Sequence, residues 1–264
     1  MTASGVALVG AGGVTTWPMS EFDRSLSTTP RLHVQGALGA GALITLDQPQ
    51  SHYLGSVMRR QPGDMVRLFN GRDGEWAARV ASVAKKAVTL AAEHQSGRQE
   101  QVPDLWLCAA PLKKGRIDWL VEKACELGVA RLVLVTTQRT VVDKPNLERL
   151  MAHLVEAAEQ SGRTAVPELP EPLSLSQMLK NWPADRALIF ADETGGEAMA
   201  ATMARVPAPA AILIGPEGGF TAPERDAIRA HPGAVAVSLG PRILRADTAA
   251  LAAVAVWQAI NGQG

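Results

Sequence analysis

The chain has 264 residues, 47% of them hydrophobic, and its 26 Lys and Arg balance 26 Asp and Glu to a formal net charge of zero. That length allows one large or two small domains with a real core, and no apolar run reaches the roughly 18 residues of a membrane span. Zero net charge argues against a protein that grips nucleic acid by bulk charge, so any nucleic-acid surface must be polarised.

In chain order, residues 1–29 are rich in Gly, Ala, Ser and Thr, lack periodicity and read as a flexible leader. No Lys or Arg precedes Glu21, which argues against a signal peptide. Gly10-Ala11-Gly12-Gly13 resembles part of a dinucleotide fingerprint, but no amphipathic helix follows it, since Trp17-Pro18 intervenes. Residues 30–100 read as a small closed β-barrel. Strands are expected over Arg31–Val34, Ala42–Leu46, Met65–Asn70, Glu75–Val83 and Ala87–Glu93, with Asn70-Gly71 and Asp73-Gly74 as tight-turn signals. Gln95–Pro103 reads as a polar linker.

Residues 101–264 alternate strand and helix, the pattern of a parallel sheet covered by helices. Strands are expected over Leu105–Ala110, Arg131–Thr136, Ala187–Ala191, Ala211–Ile214 and Ala234–Leu239. The helix over Arg116–Leu127 puts Ile117, Leu120, Val121 and Ala124 on one face and stops at Gly128. Asn146 caps a second helix carrying Leu147, Leu150, Met151, Leu154 and Ala158. The helix over Thr248–Ile260 is apolar nearly all round, which predicts burial by the rest of the chain or by a second copy. Cys108 and Cys125 fall on an apolar strand and an apolar helix face; they supply no disulfide framework and point to a reducing compartment, the cytoplasm. The five His and two Cys lack ligand spacing, so no metal site is expected.

Two loops carry the chemical signal. Ile212-Leu213-Ile214 is an apolar run ending on Gly215-Pro216-Glu217-Gly218-Gly219-Phe220, and Thr221-x-x-Glu224 then opens a helix as a capping box. Leu239-Gly240-Pro241-Arg242-Ile243-Leu244-Arg245-Ala246-Asp247-Thr248 repeats strand, tight loop and helix. Glycine lets a ligand approach the backbone, and two such loops at the carboxyl edge of a parallel sheet build a pocket. Exposed N–H and C=O groups suit a flat polar ring such as adenine, with Leu213, Ile214, Leu239, Ile243 and Leu244 as apolar walls. Neither loop is a P-loop, since no Lys follows Gly219.

On these residues the chain resembles the SPOUT methyltransferases, and is most similar to the ribosomal small subunit methyltransferase E family. Ile214 to Glu224 follow its I-G-P-E-G-G-[FL]-[ST]-x-x-E pattern, and Leu239 to Ala249 follow L-G-x-R-I-L-R-x-E-T-A with Asp247 in place of Glu. Further matches are Lys114-Gly115, Glu122 to Val129, Thr137 to Val142, Glu156 to Arg163, and His52-Tyr53-Leu54 with Val57-Met58-Arg59. The resemblance runs from about Pro30 to the end. It implies a PUA-like RNA-binding domain over 30–100 and a SPOUT domain with a trefoil knot over 101–264. It also implies a homodimer that uses S-adenosyl-L-methionine to methylate uracil N3 in 16S rRNA of the small ribosomal subunit.

The resemblance and the loop chemistry together suggest site residues. Gly215, Pro216, Glu217, Gly218, Gly219, Gly240 and Thr248 join the apolar walls as cofactor-binding candidates. Methylation of N3 needs the proton removed and charge on the uracil oxygens stabilised. Arg245 is the candidate for the second task and Glu217 for the first, the alternatives being a contact of Arg245 with Asp247 or with backbone and a loop-bracing role for Glu217. Arg59, Arg60, Arg139 and Arg163 are candidate RNA contacts. Residues 30–97 hold eight cations against five acids, and residues 111–145 seven against four, a surplus of +3 each. A non-catalytic RNA-binding protein and a nucleotide-binding hydrolase remain alternative readings.

Overall fold

The computed structural model describes residues 29–262 except 85, 86, 143 and 193. The expected leader thus lies almost wholly outside the described residues, as do Lys85, Lys86 and Asp143 of the charge count.

The N-terminal unit is one five-stranded sheet. It contains β1 (Arg31–His33), β2 (Leu43–Thr45), β3 (Met65–Phe69), β4 (Glu75–Val83) and β5 (Val88–Gly97), in the order β1-β3-β4-β5-β2. β1 runs parallel to β3, and the other pairs are antiparallel. Leu32 of β1 and Ile44 of β2, at opposite ends of the ladder, share one buried cluster with Val66, Val80 and Leu90. The sheet therefore wraps round its core, although no β1–β2 ladder closes it. Asn70 makes the β3–β4 turn by accepting from the backbone N–H of Arg72 and Asp73. Two features escape the sequence reading. A short helix α1 (Gln48–His52) capped by Asp47 runs into a π-helical turn over Tyr53–Val57. The supposed linker begins too early, because Gln95 and Gly97 still pair with Trp76 and Glu75; polar residues complete a strand when one of its faces is solvated.

The C-terminal unit is a seven-stranded sheet with every pair parallel. Its strands are β6 (Leu105–Ala109), β7 (Arg131–Thr136), β8 (Leu173–Ser174), β9 (Ala187–Ala191), β10 (Glu197–Ala198), β11 (Ala210–Ile214) and β12 (Ala234–Ser238), in the order β10-β12-β9-β11-β6-β7-β8. Between them lie α2 (Arg116–Glu126), α3 (Leu147–Ser161), α4 (Leu175–Lys180), α5 (Met199–Met203) and α6 (Ala222–Arg229), and α7 (Ala246–Asn261) ends the chain. Strand alternation splits the core across the sheet. Ile212 and Ile214 join the cluster containing α2, α3 and α7, and Ala211 and Leu213 join the one containing α4 and Phe220. α7 buries Ala249, Ala250, Ala253, Val254 and Trp257, while Ala255 and Ile260 are exposed. Both cysteines are buried; burial pushes the Cys108 thiol up to about 12 and the Cys125 thiol up to about 11.

Arg31 couples the two units. Its guanidinium donates to the carbonyls of Ala158 (2.7 Å) and Glu159 (3.0 Å) near the C-terminus of α3 and to that of Arg163 (3.0 Å). It also pairs with Glu75 at 2.6 Å and lies 4.6 Å from the Phe69 ring centre. A cation satisfying the last carbonyls of a helix is favoured by the helix dipole. Arg163, proposed for RNA contact, is turned inward. It is 7% exposed and donates to the carbonyls of Cys125 and Val129 and to the Glu100 carboxylate. Its charge neutralises interior acceptors, so that role is withdrawn.

Candidate functional site

Three loops at the carboxyl edge of the large sheet surround one cavity of about 530 Å³, within the usual range for a small-molecule site. The first follows β11. Gly219 takes φ +67°, and its N–H donates to the Pro216 carbonyl at 2.8 Å, which closes the turn. Thr221 caps α6, and Glu224 returns to the Thr221 N–H at 2.9 Å. Glu224 also accepts from the Gln138 N–H at 2.7 Å, and the Arg139 guanidinium donates to the Gly218 carbonyl. The loop after β7 thereby braces the glycine loop from outside. The second loop, between β12 and α7, supplies Leu239, Gly240, Ile243, Leu244 and Arg245.

The third loop, Asp192–Gly196 after β9, was missed in the sequence. Asp192, Thr194, Gly195 and Gly196 all line the cavity. A Cβ on Gly196 would sit 2.8 Å from Val237 backbone, so only glycine lets this loop pass β12. Asp192 is fixed from several sides. The Thr194 N–H and hydroxyl donate to Oδ1 at 2.9 and 2.8 Å, Arg229 Nε donates to Oδ2 at 3.0 Å, and Arg225 lies 3.6 Å away. Burial works to raise the Asp192 pKa, but the bonds from Thr194 and Arg229 outweigh it and hold the group below the usual carboxylate value. The signal was the same apolar-strand-to-glycine pattern that marked the other two loops; the missing clue was its place in space.

Of the expected cofactor residues, Ile214, Gly215, Pro216, Glu217, Gly219, Leu239, Gly240, Ile243 and Leu244 line the cavity. Ile243 does so only as a rim, being 92% exposed. Three do not line it. Leu213 faces the other side of the sheet, as alternation along β11 requires. Gly218 turns outward, where a Cβ would lie 3.2 Å from Arg139 Cδ. Thr248 lines an adjoining open recess with Gly115, Arg116, Trp119, Arg245 and Asp247. Arg245, the N-cap residue of α7, borders both spaces, and its guanidinium has no partner among the described residues. The alternative salt bridge to Asp247 is not formed. Glu217 lies 3.8 Å from Arg116 across the same boundary.

Arg139 is exposed beside the glycine loop. Arg59 and Arg60 follow the π-helical turn of the N-terminal unit, Arg59 exposed at φ +53° and Arg60 half-buried with an unpaired Nε. No group of three or more metal-ligating side chains occurs among the described residues.

A backbone-lined cavity with Ile214, Leu239 and Leu244 as apolar surface fits an adenosyl group. Comparison with known proteins points the same way. Residues 87–258 match the RNA methyltransferase domain model, and residues 46–93 match the RNA methyltransferase PUA domain. The ribosomal RNA small subunit methyltransferase E of Synechocystis is 33% identical over 83% of this chain and 74% of its own length. A Legionella pneumophila structure in complex with the cofactor SAM is 30% identical, with TM-score 0.80, over 88% of this chain and 98% of that one. A Neisseria gonorrhoeae ribosomal RNA small subunit methyltransferase E bound to S-adenosyl methionine is 27% identical, with TM-score 0.79, over the same shares.

Proposed function

Because the chain belongs to the ribosomal RNA small subunit methyltransferase E family, we propose that it methylates N3 of a uridine in 16S rRNA, using S-adenosylmethionine. The observation that carries this reading is the three-loop cavity, bordered at its mouth by an unpaired arginine. When bound, S-adenosylmethionine supplies an electrophilic methyl group on a positively charged sulfur. Backbone of Gly215, Pro216, Gly219, Leu239 and Gly240 would hold its adenine edge, and Ile214, Leu239 and Leu244 would supply the apolar walls. Arg245 donates to a uracil oxygen as negative charge develops there, which lowers the barrier most in a site screened from water. Glu217 accepts the N3 proton, with Arg116 holding its carboxylate toward the boundary of the two spaces. Arg59, Arg60 and Arg139 meet RNA phosphates.

The family resemblance extends this to a trefoil knot formed by the loop segments and to a homodimer acting on rRNA or the assembled small subunit in the cytoplasm. Supporting the dimer, α7 leaves Ile260 exposed near its end. The decisive experiment maps methylated uridines in 16S rRNA by mass spectrometry from cells with and without this protein. One 3-methyluridine should vanish with the protein and return on complementation; an unchanged map refutes the reading.

A further inference from the structure

The open recess beside the cofactor cavity has the chemistry of a nucleobase seat. It lies between the first turns of α2 and α7, has a volume of about 440 Å³, and is bounded by Arg116, Trp119, Arg245, Asp247 and Thr248. Trp119 is 44% exposed. Its indole N–H has no partner among the described residues, and no ring or cation stacks on it. The other described tryptophans are committed elsewhere. Trp76, Trp182 and Trp257 donate to the carbonyls of Asp73, Arg186 and Val206, and Trp106 packs under Arg131 and Arg186. A large aromatic left free beside two arginines and next to a cofactor cavity is a surface for a flat, polar ring.

We infer that Trp119 is the stacking platform for the target uridine, a base drawn out of its RNA strand. This inference rests on the methyltransferase reading above. The direction of the site supports it. Arg245 borders both spaces, and the Arg116–Glu217 pair spans them at 3.8 Å. A uracil lying on Trp119 with its O2–N3–O4 edge toward Arg245 therefore presents N3 to the cofactor cavity. Arg245 then serves a carbonyl oxygen, and Glu217 lies on the side from which the proton leaves. Asp247 and Thr248 also line the recess and offer polar groups to the hydroxyls of a ribose. Exposed Lys113 and Lys114, just before α2, offer cations to the flanking phosphates. Base flipping of this kind is how enzymes reach a base atom otherwise engaged in pairing, and base–aromatic stacking tolerates the strand's sequence.

Trp119→Ala and Trp119→Phe in the full chain test it. Methyl transfer to 16S rRNA gives kcat and KM, calorimetry gives the S-adenosylmethionine Kd, and sedimentation gives the mass of the assembly. For Trp119→Ala, kcat/KM for RNA should fall about tenfold or more, the scale of one lost stack, with cofactor affinity and mass unchanged. Trp119→Phe should restore most of the rate. Unchanged kcat/KM overturns the inference. So does a loss accompanied by a change in mass, which would assign Trp119 to a contact with a second copy. Wild-type protein that binds the cofactor but methylates no rRNA would instead refute the functional reading beneath it.

Discussion

Arg245 shows how much a single side chain can carry. Its sequence context leaves it either as a catalytic cation or as the partner of Asp247. Among the described residues it pairs with no acid, and it borders both the cofactor cavity and the recess. A cation held without a partner beside a reacting base stabilises the transition state more than the ground state. Arg245→Ala should therefore lower kcat by about 10²-fold, the scale of one lost oxyanion donor. The S-adenosylmethionine Kd, measured by calorimetry, should stay within a few-fold. Equal losses of affinity and turnover would show that Arg245 holds the loop instead. Arg163 carries the opposite lesson. Its motif placed it at an RNA surface, yet its guanidinium is spent on interior carbonyls and Glu100. The charge of an arginine is legible in sequence, but the direction of its long side chain depends on which acceptors the fold brings within reach.

Among the elements, the Asp192–Gly196 loop is held to α6 by the bonds that Arg229 donates to Asp192 and Thr194, while Thr194 braces Asp192 within the loop. Two walls of the cofactor cavity are thus tied through one buried carboxylate. Asp192→Asn should cost about 1–3 kcal/mol at neutral pH by weakening charge-assisted bonds at a buried site, and should weaken cofactor binding by loosening the loop. Because the folded-state pKa of Asp192 is depressed, its contribution is complete above the ordinary carboxylate value near 3.9 and is lost as pH falls through the lower folded value. Denaturant melts across pH should show the wild-type advantage over Asp192→Asn shrinking below about pH 4. A gap that stays constant with pH would mean that the carboxylate charge plays no part.

At the scale of the molecule, a ligand seated among three loops binds only the folded chain, so S-adenosylmethionine should raise thermal stability by mass action. At about 100 times its Kd the gain is about 2.7 kcal/mol, a rise of roughly 5–10 °C for a domain of this size; ATP at equal concentration should give much less. The same scale separates what residues reveal from what folding adds. The longer strands and several helix starts were legible because they rest on local physics, whereas the short elements α1, β8, α4, β10 and α5 were not. Asn146 and Thr221 cap as their spacing predicts, Gly128 stops α2, and Glu75–Val83 is a strand to the residue. The glycine loops at 215–219 and 239–245 were legible because chain chemistry within ten residues makes them. What the sequence could not decide was convergence. The order β10-β12-β9-β11-β6-β7-β8 alone brings the Asp192–Gly196 loop, 19 residues upstream of Gly215 at its nearest, into the same cavity. It also turns Leu213 and Gly218 away and sets Trp119 beside Arg245. Local propensity acts over a few residues, whereas the pairing of distant strands is settled by burying one shared core, and only that long-range choice assigns each loop its neighbours.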